Sequence, residues 1–280
     1  MKKKIKAKVL SQTKLQNGIY DLKIETVLAK EAHAGQFVGI YTNDKSKLLP
    51  RPISICEADD KTLRLVYRVT GAGTGTENIS LLKEGDEVYI LGILGNGYDV
   101  SEILDKYKHP VLMGGGIGIP PMLELSKELH TGSVILGYRD SNTFLDDEFR
   151  EILGDDNVYI ATEDGSVGTQ GNVLDVMKDN LQMKMIEKSS DVEGAQMDKD
   201  IALCDIILAC GPMPMLRAIA KYARDNGIKA YVSLEERMAC GVGACLGCIT
   251  KTKDIDEHSQ VKNTRICTDG PVFDTEMLEF

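Results

Sequence analysis

Four cysteines near the end of the 280-residue chain stand at a spacing that could hold a metal centre. The stretch "EERMACGVGACLGCIT" carries Cys240, Cys245 and Cys248, and Cys267 follows in "TRICTDG", so the pattern is C-x4-C-x2-C-x18-C. The first three match the plant-type spacing for a [2Fe–2S] cluster. Small residues (Gly241, Gly243, Ala244 and Gly247) lie between them. They let the backbone take unusual φ values and bring its N–H groups close to sulfur. A structural zinc is the alternative, but zinc commonly uses paired C-x2-C knuckles and only one is present here. The long arm before Cys267 contains "KTKDIDEHSQVKN" and is expected to be a hydrophilic hairpin that leaves the centre and returns with the last thiol.

A second group could bind a nucleotide. "VLMGGGIGIPPM" places Gly115, Gly116, Gly118 and Pro121 between a strand pattern and a helix pattern, in a G-x-G-x-x-P arrangement. Such glycines let the backbone approach a pyrophosphate, and the helix start adds N–H donors and the positive end of a dipole. A tight turn with no ligand is the bland alternative. Asp140 closes the next strand about twenty residues on, where a ribose-binding acid is expected. Arg139 beside it blurs the choice between NAD and NADP, and NAD is favoured. "LACGPMPML" puts Cys210, Gly211 and Pro212 at the end of a later strand, the edge where open α/β sheets bind ligands. Cys210 there either faces a nicotinamide or is a small buried residue.

A third group lies nearer the N-terminus. "LLPRPISIC" holds Arg51, Pro52, Ile53 and Ser54, an always-charged fork with a hydroxyl three residues on. "VYRVTGAGT" adds Val66, Tyr67, Arg68, Gly73 and Thr74: an aromatic for stacking, a second cation and a glycine turn. Bare chemistry suggests an anionic cofactor; a surface arginine and an ordinary turn serve as well.

The elements that must position these groups change character along the chain. From 1 to about 103, short alternating segments ("KIKAKVL", "YDLKIE", "GQFVGIYT", "TLRLVYRVT", "DEVYILG") predict an antiparallel β-barrel. From 104 to 233, strands alternate with helical patterns, as in "HPVLMGGG" and "PPMLELSKEL" with Met122, Leu125 and Leu129 at helical spacing. That predicts a doubly wound parallel α/β domain. A charged stretch at about 181–200 reads as a surface insertion, and 234–280 is too small to stand alone without a metal. The fold class expected is multidomain α+β.

Composition narrows the partners. The net charge is −10, the pI about 5.0 and the mean hydropathy −0.16, so nucleic acid and anionic membrane are not expected. "MKKKIKAKVL" lacks the apolar run of a signal peptide, and the most apolar stretch, "IALCDIILACGPMPML", is interrupted by Asp205 and two prolines. Seven cysteines in that setting point to a reducing, cytoplasmic location rather than a disulfide framework. His33, His109, His130 and His258 stand alone, and Ser166 in "DGSVG" lacks nucleophile-elbow spacing.

In this order, "RPISI", "VYR…GAGT", "LGILGNGY", "GGGIGIPPM" and "CGVGACLGC…C…DGPVFD" make nearly the whole chain resemble the ferredoxin–NADP reductase superfamily. Within it, they resemble the electron-transfer subunits of B-type, NAD-linked dihydroorotate dehydrogenases. The resemblance implies FAD on Arg51–Ser54, Val66–Arg68, Gly73 and Thr74, with Ser54 near the flavin's reactive edge. It also implies a [2Fe–2S] cluster on the four cysteines and NAD as electron acceptor. It further implies a partner, an FMN-containing catalytic subunit of dihydroorotate dehydrogenase, two of each chain per complex, in pyrimidine biosynthesis. The insertion and the long arm are larger than the family pattern leads one to expect. A subunit of a ferredoxin:NAD(P) reductase, sulfide dehydrogenase or hydrogenase has the same build, and a zinc-clipped binding module is the alternative of another class.

Overall fold

A computed structural model describes residues 2–181, 204–256 and 260–280. The expected insertion lies outside them from residue 182 onward, as does His258. By contacts the chain divides into two compact units, one of Met1–Tyr98, Pro120–Glu128 and Val232–Phe280, the other of Asp99–Ile119 and Leu129–Tyr231.

The first unit is built on β1 (Lys3–Gln16), β2 (Ile19–Glu25), β3 (Phe37–Tyr41), β4 (Arg51–Ser54), β5 (Glu57–Ala58), β6 (Thr62–Arg68) and β7 (Glu87–Leu94). They form an antiparallel sheet in the order β4-β3-β7-β1-β2-β6-β5. Alternation sets its inner face: Ala7 and Val9 are buried while Lys6 and Lys8 are exposed. The β1–β2 hairpin turns at Asn17-Gly18, the strongest short hairpin signal, with Gly18 at φ +77° and Gln16 opposite Ile19. Inside, Val9, Leu22, Ile24, Ile40, Leu65 and Ile90 form one apolar cluster. A six-residue helix, α1 (Gly75–Ser80), follows β6; it is too short for a helical period to register in the sequence.

The chain continues through α2 (Val100–Lys106), β8 (Pro110–Gly115), α3 (Pro120–Leu129), β9 (Ser133–Tyr138), α4 (Asp146–Leu153), β10 (Val158–Thr162), β11 (Thr169–Gln170), α5 (Val173–Val176), β12 (Ile206–Cys210), α6 (Met213–Asn226) and β13 (Lys229–Ser233). In the second unit the strand order is β11-β10-β9-β8-β12-β13. Registers such as Val111↔Ser133 and Cys210↔Gly114 are parallel. All of β8 and β12 is buried, which is why they read as continuous apolar runs rather than alternating ones. Three short strands close the chain: β14 (Ile249–Lys251), β15 (Asn263–Arg265) and β16 (Val272–Asp274). Among the described residues no helix is long and apolar enough to cross a membrane.

Within the first unit, α3 is fastened to the β-sheet by charge. Arg64 donates from Nε to Asp21 Oδ2 at 2.9 Å and pairs with Glu57, which also takes the ammonium of Lys127. The Ala58 N–H donates to Glu124 Oε2 at 3.1 Å, and the Ala34 N–H to Glu128 Oε1 at 2.9 Å. Glu124 is buried, and that burial, aided by the neighbouring charges of Glu128 and Glu57, pushes its carboxyl from 4.5 up to about 7 against the Ala58 hydrogen bond and Lys127. A carboxyl raised in the folded state binds a proton there that the unfolded chain releases. Its contribution therefore makes stability fall as pH rises from about 4.5 to about 7. Glu124→Gln keeps an acceptor for Ala58 and removes the titration. Denaturant unfolding of the variant is expected to lose part of the wild-type decline across that window, and parallel pH profiles for the two proteins would contradict the assignment.

Candidate functional site

The cysteine loop has no helix or strand from Glu235 to Cys248. Its backbone turns through positive φ at Gly241 (+68°), Gly243 (+79°) and Leu246 (+55°). These turns aim amides at sulfur. The N–H groups of Val242 and Cys245 both donate to Cys240 Sγ at 3.4 Å. Gly243 donates to Cys267 Sγ at 3.2 Å and Gly247 to Cys245 Sγ at 3.4 Å. Gly247 has no positive φ; the left-handed residue beside it is Leu246, and nothing local marks a leucine for that conformation. A Cβ on Gly243 would meet Thr268 Cγ2 at 2.9 Å, so the loop also needs glycine there for close approach.

The Cys245 thiol is a hydrogen-bonding neighbour of Cys240 and the Cys248 thiol of Cys267, which also feels the charge of Cys240. Among the described residues no three Cys, His, Asp or Glu side chains are grouped as ligands of one metal ion. Cys248 and Cys267 are buried, Cys240 is half-buried and Cys245 is exposed, so the loop is closed on one side and open on the other. Burial pushes the Cys240 thiol up, but the amides of Val242 and Cys245 outweigh it and bring it down to about 7. Burial and the Cys248 thiol push Cys267 up to about 12. An all-sulfur donor set, paired thiols and sulfur-directed amides together fit a two-iron cluster. The arm is the expected hairpin: β14 and β15 pair antiparallel with Ile249 opposite Arg265, and the Ile266 N–H returns to Cys248 O at 2.9 Å. Asp269 ties off the turn around Cys267, accepting from Thr264 Oγ1, from the Arg265 main-chain N–H and from Nε and Nη2 of its guanidinium at 2.9–3.2 Å.

The R-x-x-S residues form β4, paired with β3 so that Arg51 faces Ile40 and Ser54 faces Phe37. Ile53 points into the core; Arg51, Pro52 and Ser54 are half-buried. The Arg51 guanidinium lies over Gly75, where a Cβ would sit 2.2 Å from Nε, and Nη1 donates to Leu49 O at 2.7 Å. Thr74 caps α1: its Oγ1 donates to Gly71 O at 2.6 Å and accepts from the Glu77 N–H at 3.4 Å. Gly73 (φ +72°) donates its N–H to Glu77 Oε2 at 2.6 Å. Arg51, distant in sequence, thus reaches the start of α1 at Gly75, beside Gly73 and Thr74, and sets a cation against the first turn of that helix. The expectation that Tyr67 supplies a stacking surface is corrected. Its ring is buried in the sheet's core, stacked on Tyr20 at 6.0 Å, and its hydroxyl accepts from Gln12 Nε2 at 2.7 Å. Period-two alternation puts it on the inner face, leaving only its backbone for a ligand. Val66 is buried; Arg68 is exposed, with Glu235 as its electrostatic neighbour.

In the second unit the glycine loop and the C-G-P segment come together at the carboxyl edge of the sheet. A Cβ on Gly118 would lie 2.3 Å from Cys210 O, and one on Gly211 would lie 3.2 Å from Gly115 N. Met215 sits over both glycine segments: Cβ atoms on Gly115 and Gly211 would meet its Sδ at 2.5 Å and its Cε at 2.7 Å. Nothing in the sequence singles Met215 out, since it reads as one more apolar helix residue. Gly116 takes φ +54°. The Cys210 side chain is fully buried, while Pro212 is exposed. Asp140 is half-buried just past β9, its Oδ1 accepting from the Asn142 amide N–H at 2.9 Å and from Nδ2 at 2.7 Å. Pro121 lies in the first turn of α3.

Comparison with known proteins follows the same lines. Residues 235–279 match a family model described as the iron-sulfur cluster binding domain of dihydroorotate dehydrogenase B. The chain is similar to the protein named dihydroorotate dehydrogenase B (NAD(+)), electron transfer subunit, of Fusobacterium nucleatum, at 38% identity over 91% of this chain and 90% of that one. Proteins of the same name from Streptococcus pneumoniae (36% identity, 96% and 95% covered) and Caldanaerobacter subterraneus (36%, 100% and 100%) are similar too. Among solved structures, one is described as an NADH-dependent reduced ferredoxin-NADP oxidoreductase; it superposes with a TM-score of 0.76 at 26% identity, covering 98% of this chain and 89% of its own. A ferredoxin NADP+ reductase from Neisseria gonorrhoeae with bound FAD and NADP shares the fold, at TM-score 0.61 and 17% identity over 84% and 95%.

The contact between Gly118 and Cys210 is backbone against backbone and has no side chain to move aside. Gly118→Ala is expected to destabilise the nucleotide unit by about 1–3 kcal/mol through overpacking, read as a lower unfolding midpoint in denaturant. An unchanged midpoint would show that the loop does not abut the strand end.

Proposed function

The chain belongs to the family of dihydroorotate dehydrogenase B electron transfer subunits, and from that premise we propose how its residues carry electrons from a catalytic partner to NAD+. The observation that carries the reading is the set of backbone N–H groups, of Val242, Gly243, Cys245 and Gly247, aimed at the cysteine sulfurs. Cys240, Cys245, Cys248 and Cys267 hold a [2Fe–2S] cluster. FAD lies on 1–103, NAD on 104–233 and the cluster on 234–280. When bound, the cluster supplies one-electron transfer, and the flavin links one-electron to hydride chemistry.

The protein's own part is placement and electrostatics. Amides of Val242, Gly243, Cys245 and Gly247 offset negative charge on the thiolates, which favours the reduced state. Arg51 offers its fork to the FAD phosphates beside Gly73 and Thr74, with Ser54, Pro52 and Ile53 lining the flavin strand and Val66–Arg68 contributing backbone and charge. Gly115, Gly116 and Gly118 let the backbone approach the dinucleotide pyrophosphate. The α3 start with Pro121 supplies donors, Asp140 accepts from a ribose, and Gly211 and Pro212 meet the nicotinamide beside Cys210. No side chain here is needed as a general base.

The partner is an FMN-containing dihydroorotate dehydrogenase catalytic subunit, two of each chain per complex, working in the cytoplasm in pyrimidine biosynthesis. It docks where Cys245 is exposed, on a face with exposed Val242, Leu246 and Ile249. Exposed apolar side chains grouped around a redox centre suit a protein surface better than water. Cys245→Ser in the complex is expected to abolish dihydroorotate-dependent NAD+ reduction, while the partner alone still oxidises dihydroorotate with an artificial acceptor. Undiminished NAD+ reduction by the variant complex would refute the cluster's place in the path.

A further inference from the structure

The turn that delivers Cys267 is held by more than its own hairpin. Leaving β7, the chain runs Leu94-Gly95-Asn96-Gly97. The Asn96 main-chain N–H donates to Gly270 O at 2.6 Å, and its Nδ2 donates to Thr268 O at 3.0 Å and Asp269 O at 3.3 Å. These acceptors are the three consecutive carbonyls that follow Cys267. Asn96 also bridges Pro271 in parallel fashion. Gly95 (φ +77°) makes the approach possible: a Cβ there would lie 2.6 Å from Pro271 Cδ, 2.9 Å from Phe37 Cε1 and 3.0 Å from Gly270 O. Gln36 Nε2 steadies this strap by donating to Gly95 O at 2.9 Å.

The same strap touches the other end of the cysteine loop. Gly241, next to Cys240, packs so closely on Leu94 that a Cβ would sit 3.2 Å from its Cδ1. Across the sheet, Phe37 pairs with Leu94 on one side and with Ser54 on the other. One cross-strand row therefore runs from the strap to the R-x-x-S strand.

We propose that Asn96 is a positioning residue that clamps the Cys267 turn to the β-sheet and so sets the spacing between the cluster and the flavin strand. Its side chain donates to two successive carbonyls, which are groups that water can also satisfy. Asn96 is exposed, so replacing it costs little stability yet removes the two side-chain ties to the Thr268 and Asp269 carbonyls, leaving the main-chain bond to Gly270. Electron transfer depends on separation far more steeply than folding does, so loosening the turn acts on rate before it acts on fold. The proposal rests on the cluster and flavin sites assigned above.

The test uses the anaerobically purified complex with Asn96→Ala and, as a same-sized variant without the amide donor, Asn96→Asp. Three quantities are read: iron and flavin content, the rate of flavin reduction when dihydroorotate supplies electrons through the partner, and the rate of flavin reduction by NADH, which does not pass through the cluster. Both variants are expected to keep iron and flavin and the NADH rate. The partner-driven rate should fall about 10-fold, equivalent to about 1.4 kcal/mol in the barrier, and amides of 265–271 should exchange faster with solvent. An unchanged partner-driven rate in a fully loaded variant would overturn the proposal. Loss of iron from the variants would also overturn it, since that makes Asn96 a retention residue. A wild-type complex without iron or flavin would instead overturn the site assignment beneath it.

Discussion

Charge on sulfur is the constraint on which the rest of this structure depends. Thiolates that hold an iron–sulfur core leave negative charge in a partly buried loop even after the irons are counted, and the chain supplies no lysine or arginine among the residues from 238 to 250. It supplies backbone N–H groups instead. Turning successive amides toward sulfur requires a backbone that L-residues avoid, which explains the positive φ angles at Gly241, Gly243 and Leu246. A loop so contorted has no ladder of its own. It is held by what surrounds it: the β14–β15 hairpin, the Asp269 network, and the strap leaving β7.

The two other regions proposed to bind cofactors solve a related problem by a different route. At the start of α1 and at the carboxyl edge of the parallel sheet, anionic groups are to be met by a guanidinium and by helix-start amides, and the obstacle is bulk rather than charge. Gly75 leaves room for Arg51, and Gly118 leaves room for the Cys210 carbonyl. In each place the sheet fixes the approach through register, as with Ser54 opposite Phe37 and Gly114 opposite Cys210. Burial then sorts the residues. Tyr67 and Cys210 are withdrawn into cores, and Arg68, Pro212 and Cys245 are left outside.

What could be read in advance followed from periodicity and spacing. The parallel α/β order was legible because fully buried strands such as β8 and β12 read as apolar runs between helix patterns. The hairpin arm was legible because its polarity breaks between Cys248 and Cys267. Short elements were not: α1 spans six residues and β4 four, below the length at which a period declares itself. The face of a side chain within a strand was misjudged for Tyr67, since motif order carries no information on inward or outward direction. Asn96, Asp269 and Met215 lie inside motifs read from the sequence, but their own roles were not legible there, because these come from contacts with residues far away or a turn on, which no local pattern encodes. Leu246 escaped because a left-handed leucine is imposed by its loop and not preferred by the residue.

What the four cysteines hold decides whether electrons can pass through this chain. The direct measurement is metal and flavin analysis of anaerobically purified protein, joined to the electron paramagnetic resonance spectrum of the dithionite-reduced sample. The account predicts about two irons with matching acid-labile sulfide and about one FAD per chain, with the rhombic signal of a reduced [2Fe–2S] cluster. Colourless protein with stoichiometric zinc and no paramagnetic signal would contradict it.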